Sequence, residues 1–265
     1  VTAQQEDARL ALLAAFSENA YSKAPQVQRP PVEAGLAALG WDLRGYLTAV
    51  DDVRDIFARR LYYGIVAESI AAPGTAVVVV RGTENFVEWI IDAEFFLQPH
   101  PSGGHVEDGF YGVYRSIRFL PPAADAPSQA LWIADALGTA TAVTVVGHSL
   151  GAAIATYLAL TVAAALPQAH VALRAVASPR PGDTAFARML LAAVPDSVAY
   201  DYEPDLVPQL PAELLGYASL PSLVTLPKDA AIPDNPLSNH HALTYARLLD
   251  PTVAKVAGWN LPRTV

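Results

Sequence analysis

Apolar residues first recur at helical spacing in residues 4–20, where Leu10, Leu13 and Phe16 predict an amphipathic helix. Pro25, Pro30 and Pro31 then mark a loop before Gly40-Trp41-Asp42. Leu61–Ser69 and Thr75–Arg81 read as strands separated by the turn Ala71-Ala72-Pro73-Gly74. The run Ala76-Val77-Val78-Val79-Val80 has no polar face, the pattern of a central parallel strand covered on both sides. A helix over 126–138 follows from Leu131, Ile133, Ala134 and Leu137. Beyond it strands and helices alternate: strand 142–146, helix 150–166, strand 171–177, helix 183–193, strands 197–202 and 222–226, helices 240–249 and 251–258. This alternation predicts a mostly parallel sheet with helices on both faces. Residues 203–237 break the rhythm, because seven prolines (204, 208, 211, 221, 227, 233 and 236) hold much of the stretch as loop. Long loops at the carboxyl ends of parallel strands are where ligands and catalytic side chains collect.

Composition narrows the picture. A chain of 265 residues, 52% hydrophobic, can bury a large core, and no linker or charge block divides it. One α/β domain spanning residues 1–265 is the expectation. Charged residues are only 16%, against roughly 25% in ordinary soluble proteins, so some apolar surface is expected to stay exposed. The formal charge of −9, with no basic run longer than Arg59-Arg60, argues against nucleic acid or an anionic membrane as partner. There is no cysteine, which excludes thiolate catalysis and disulfides and leaves the redox compartment open. No apolar run reaches the length of a spanning helix without interruption. The chain begins at Val1 without a legible signal peptide; a processed precursor is compatible with that start, and localisation stays open.

Candidate chemistry concentrates at Val143-Thr144-Val145-Val146-Gly147-His148-Ser149-Leu150-Gly151. A β-branched run ends in Gly-x-Ser-x-Gly and a helical stretch begins at once. A Gly-x-Ser-x-Gly arises by chance in roughly one chain in ten of this length, but rarely between a buried strand and a long helix. A nucleophile elbow needs small residues two before and two after the serine so that a tight, strained turn can close. Ser149 is therefore the candidate nucleophile, and the Leu150 N–H at the helix start is a candidate oxyanion donor. The serine needs a base, and the base needs an acid that fixes its tautomer. Downstream histidines are His170, His240 and His241. His170 sits between a helix and a strand, at the sheet end away from Ser149, which leaves His240 or His241 as base. Asp205, held between prolines after a predicted strand, is the favoured acid over Asp201, Glu203, Asp229 and Asp234. Arg81-Gly82-Thr83 follows a central strand and offers Thr83 as a second oxyanion donor, through its N–H or hydroxyl.

These residues carry a resemblance. The chain resembles the class 3 lipases, the fungal-type triacylglycerol lipase family of α/β-hydrolases. Matching blocks run in order: Val77–Thr83 with Trp89 and Asp92, Val106–Tyr111, Val143–Ala155, Ser178-Pro179-Arg180-Pro181-Gly182-Asp183 with Phe186, and Asp205-Leu206-Val207-Pro208 on to Pro211. The resemblance implies an α/β-hydrolase fold and a cofactor-free serine hydrolase acting on lipid esters, with a lipid–water interface as a setting. It implies Ser149 as nucleophile, Asp205 as acid, and Thr83 with Leu150 as oxyanion hole. It favours His240, five before Tyr245, with His241 as the alternate. It also implies a lid in residues 85–98, where Phe86, Trp89 and Ile90 would meet substrate; the same spacing describes a core-packed helix.

Departures are Glu107 where the family often has histidine, Ala152 in the second glycine position after the nucleophile, and Ala177 where glycine is common. A metal site built from His100, His105, Glu107 and Asp108 is the weaker reading of that polar loop, and the chemistry needs no metal. The rivals to a lipase are a non-lipolytic esterase acting on aryl, feruloyl or short-chain esters, and a non-catalytic binding protein on the same fold.

Overall fold

The computed structural model describes residues 2–25, 27–50, 59–83, 95–123 and 136–253. Its chief element is an eight-stranded sheet. The strands are β1 (Trp41–Val50), β2 (Arg60–Ser69), β3 (Thr75–Val80), β6 (Arg118–Leu120), β7 (Ala142–His148), β8 (His170–Val176), β9 (Asp196–Tyr202) and β10 (Leu223–Leu226). Their order is β10-β9-β8-β7-β3-β2-β1-β6. From β3 to β10 all neighbours are parallel, whereas β3, β2, β1 and β6 pair antiparallel. A small hairpin of β4 (Leu97–Pro99) and β5 (His105–Glu107) stands apart.

The valine-rich centre alternates between two cores because successive strand residues point to opposite faces. Val78, Val80 and Val145 join Ile154 and Leu158 of α4 (Leu150–Ala165) on one face. On the other, Val77, Val79 and Val146 pack with Leu10, Leu13 and Ala14 of α1 (Ala3–Lys23). α1 starts with a capping box, in which Thr2 accepts from Gln5 N and the Gln5 side chain accepts from Thr2 N. Its burial is wider than the single apolar stripe that its spacing predicts. Asp7 and Ser17 are buried as well, Asp7 through Arg174 and Tyr200 and Ser17 through the Tyr62 hydroxyl.

Most elements from residue 142 onward fall within two residues of their predicted bounds. The region before β2 does not. Residues expected as loop include the short helix α2 (Glu33–Ala38), and the ten-residue β1 occupies a stretch for which no element was expected. Its apolar alternation is interrupted by register shifts at Leu43/Gly45 and Leu47/Thr48, so the period of two is lost from the sequence. Gly45 is required there, since a Cβ would stand 2.5 Å from the Phe119 ring. The predicted helix 240–249 is two helices, α6 (Pro236–His240) and α7 (Ala242–Leu249), broken where His241 turns extended and caps α7. His240 thus ends a short helix instead of lying in a loop. The helices predicted over 126–138 and 251–258 lie largely outside the described residues. α3 (Asp108–Ser116) and α5 (Thr184–Ala193) complete the described helices of more than one turn.

Candidate active site

The carboxyl ends of β3, β7, β8 and β9 lie along one sheet edge, set by pairs such as Val80↔Gly147 and His148↔Val176. Ser149 leaves β7 there with φ 56° and ψ −130°, a conformation that L-residues adopt only under constraint, at a cost of about 1–3 kcal/mol. Both glycines of the motif are needed for the turn. A Cβ on Gly147 would lie 2.2 Å from the Gly151 carbonyl oxygen, and one on Gly151 would lie 2.4 Å from the Arg81 oxygen. Ser149 makes no side-chain cap to α4, which leaves its hydroxyl for another partner.

That partner is His240. Ser149 Oγ lies 2.8 Å from His240 Nε2, and His240 Nδ1 lies 2.8 Å from Asp205 Oδ2. All three residues are buried. Asp205 is itself held from three sides. Its Oδ1 accepts from Val207 N at 3.0 Å, its Oδ2 accepts from the Tyr245 hydroxyl at 2.7 Å, and its own N–H donates to Tyr202 O. Tyr245 OH in turn accepts from Tyr202 N at 3.0 Å, tying α7 to the end of β9. His241 points elsewhere: its Nδ1 accepts from Leu243 N at 3.1 Å, and burial lowers its pKa. Between the two candidate bases, the structure brings His240 to Ser149.

The other candidate acids are accounted for. Glu203, Asp229 and Asp234 are exposed, Glu203 accepting from Lys228 N and Asp234 pairing with Lys228. Asp201 is buried in β9, four residues before Asp205; burial first, then the Asp205 charge, pushes its pKa up to about 7. His170 opens β8 opposite Ala142, at the far end of the strands.

Leu150 begins α4 directly after the serine, so its amide is the first of the helix, at the positive end of the helix dipole. Gly82 presses against the same turn. A Cβ there would meet His148 O and Ser149 Cβ, each at 3.1 Å. The half-buried Thr83 follows it. Arg81 anchors this loop from below, with Nε donating to Tyr62 O and Nη1 to Gly82 O, both at 2.7 Å. Its guanidinium lies 3.5 Å from the centre of the Tyr21 ring. Phe86, Trp89 and Ile90, the candidate lid and substrate residues, lie outside the described residues, so only Phe95–Gln98 of that segment is placed.

Around the polar loop, His105 Nδ1 pairs with Asp183 Oδ2 at 2.9 Å. The Glu107 carboxylate accepts from Phe110 N and caps α3, and burial raises its pKa. His100 packs against Tyr111 and Phe186. These side chains are spent on local structure. Ala177, at φ 52°, shows why a glycine suits the residue before Ser178.

Sequence reasoning passed over Glu18. Its carboxylate, carried on α1, accepts from Gly82 N at 2.9 Å and lies 2.6 Å from His148 Nδ1. In the sequence it is one of several polar residues in this helical stretch, and nothing in its spacing sets it apart.

The family model described as lipase (class 3) matches residues 77–215, which include Ser149 and Asp205 but not His240 or Glu18. Phospholipase A1-II 3 of Oryza sativa subsp. japonica is 32% identical over a match that covers 48% of this chain and 37% of that one. This chain thus spans little more than a third of the curated relatives it matches. The Rhizomucor miehei lipase of a propeptide complex superposes with a TM-score of 0.63 at 20% identity, covering 93% of this chain and 78% of that one. A triacylglycerol lipase described as having a serine protease triad gives 0.66 at 20% identity, over 92% and 98%. These likenesses establish the α/β-hydrolase fold. Sheet, elbow and family match together place the chain in the class 3 lipase family.

Proposed function

We propose that this chain is a serine carboxylic-ester hydrolase, one α/β-hydrolase domain over residues 1–265, that cleaves acylglycerol esters. The observation that carries the reading is the continuous Ser149–His240–Asp205 relay, with both links at 2.8 Å. His240 Nε2 takes the hydroxyl proton as Ser149 Oγ attacks the ester carbonyl carbon. The carbonyl π pair moves to oxygen, and the Leu150 and Thr83 donors stabilise the resulting oxyanion. Asp205 keeps the His240 proton on Nδ1 and stabilises the imidazolium. Collapse breaks the carbon–oxygen bond to the alcohol, which leaves with the proton from His240. Water repeats the sequence on the acyl-enzyme and releases the acid.

An apolar substrate is supported by the surroundings. A cavity of about 310 Å³ lies beside His240 and Asp205, walled by Leu206, Val207, Leu210 and Pro236. Leu206, Leu214, Leu215 and Leu237 expose more than half of their surface. Exposed leucines in the loops that frame a cavity suit a substrate presented at a lipid surface. Among the described residues no helix is long and apolar enough to cross a membrane.

The test is hydrolysis of p-nitrophenyl esters from acetate to palmitate, with triacylglycerol and phosphatidylcholine emulsions beside them, by wild type and Ser149→Ala. The expected result is a long-chain optimum that the variant loses together with labelling by a fluorophosphonate. A short-chain optimum favours the esterase reading. Absence of both turnover and labelling in the wild type would leave a non-catalytic binding protein.

A further inference from the structure

The imidazole next to the nucleophile faces two acceptors. His148 Nδ1 lies 2.6 Å from Glu18 Oε1, and His148 Nε2 lies 2.6 Å from the carbonyl oxygen of His240. A neutral imidazole has one N–H, and would turn a lone pair toward an oxygen at one of these contacts. With Glu18 ionised, only the doubly protonated ring donates to both. The His148 side chain is 5% exposed, so it is held by these protein partners.

We propose that Glu18 is a positioning residue of the hydrolytic centre, which holds His148 as an imidazolium and through it fixes the backbones of His240 and of the oxyanion loop. The inference rests on the hydrolase reading above. One carboxylate oxygen receives both the His148 N–H and the Gly82 N–H, the latter at 2.9 Å. It therefore joins the loop carrying Thr83, the end of β7 carrying Ser149, and the residue that serves as base. Tyr21, one helical turn beyond Glu18, braces the same loop through Arg81. α1 lies outside the matched family segment yet closes the back of the site.

The groups facing the pair agree with this charge state. Burial alone would raise Glu18, but the charge and hydrogen bond of His148 outweigh it and bring it down to about 2. Burial alone would lower His148, yet Glu18 first, then Asp205 and the His240 carbonyl, keep it raised. His241 faces Glu18 from the junction of α6 and α7 and is pushed toward the neutral form. The Tyr245 ring centre lies 6.3 Å from that of His148, its hydroxyl engaged by Asp205. The His240 ring is closer still, with centres 4.8 Å apart. The Glu18 carboxylate offsets the His148 cation beside the base, which sets the two requirements, alignment and charge balance, on one carboxylate.

The experiment compares wild type, Glu18→Gln and Ser17→Ala. Ser17 lies on the same helix and its hydroxyl pairs with that of Tyr62, away from Glu18 and His148, so its loss reports the stability of α1. In Glu18→Gln, kcat on p-nitrophenyl butyrate is expected to fall about tenfold or more with KM within about twofold. Its alkaline limb should move down by about one pH unit or more, since the carboxylate no longer holds the His148 proton. Ser17→Ala should keep the wild-type pH profile. Nitrogen-15 shifts of the histidine rings, assigned with His148→Gln, should show both His148 nitrogens protonated at pH 8 in wild type and one in Glu18→Gln. Should Glu18→Gln not fold, Glu18→Asp, whose carboxylate stops one methylene short, carries the same kinetic expectation. A neutral His148 in wild type at pH 7, or a Glu18 variant with wild-type kcat and pH profile, would overturn the proposal. A wild type inactive on every ester would sink the hydrolase reading instead, and the nitrogen shifts would still decide the charge of His148.

Discussion

The elbow at residues 143–166 and the loop region at 203–241 contribute to one site by opposite means. In the elbow the key residues are neighbours in sequence. Gly147, Ser149 and Gly151 lie within five residues; a Cβ on Gly147 would stand 2.2 Å from Gly151 O inside the turn, and one on Gly151 would stand 2.4 Å from Arg81 O at the end of β3. In the loop region the bonds that build the site are distant. His240 reaches Ser149 across 91 positions and Asp205 across 35, and its neighbours are proline-bounded segments with exposed leucines. A site can thus be rigid where sterics decide and adaptable where hydrogen bonds do.

The sharpest way to break this comparison is to remove the base. His240→Ala is expected to lower kcat about 10⁴-fold, while His241→Ala, which removes a cap, should cost less than about tenfold. Esterase assays on both variants, with circular dichroism to confirm folding, decide between the two histidines; comparable losses would dissolve the distinction drawn from their hydrogen bonds.

The elbow should instead fail through stability. Gly151→Ala forces a methyl against the Val80 and Arg81 carbonyl oxygens at 2.5 and 2.4 Å. A backbone shift of that kind costs about 3 kcal/mol, which lowers Tm by roughly 6–12 °C in a chain of this size. A thermal melt that shows no decrease would mean the turn can relax.

A smaller, pH-dependent effect belongs to Asp201. Its folded-state pKa is raised to about 7 by burial and then by Asp205. Between about pH 4 and 7 the folded chain keeps a proton that the unfolded chain has lost, so stability from this group falls as pH rises through that window. Asp201→Asn should therefore raise Tm by a few degrees at pH 8, with the gain fading toward pH 4. A gain of the same size at both pH values would mean that the aspartate is not protonated in the fold.

Legibility followed the same division. The valines of β3 and β7 announce buried strands because both of their faces are covered, and the glycine spacing announces the elbow because its three residues lie within one turn of chain. β1 was hidden by its register shifts, which erase the period of two around Gly45. The break between α6 and α7 was hidden because His241 is apt both to continue a helix and to cap one, and only its extended backbone and its bond from Leu243 N choose.

By itself the sequence determined the strand–helix alternation, the candidate serine with its tight turn, and the kind of residues that would assist it. Each of these rests on periodicity or on the spacing of small residues around one position. Only the tertiary structure decided which histidine meets the serine, that Tyr245 steadies Asp205, and that Glu18 reaches His148 across 130 positions. Such pairings depend on where whole elements pack, and a single hydrogen bond between distant residues leaves no period or spacing in the chain.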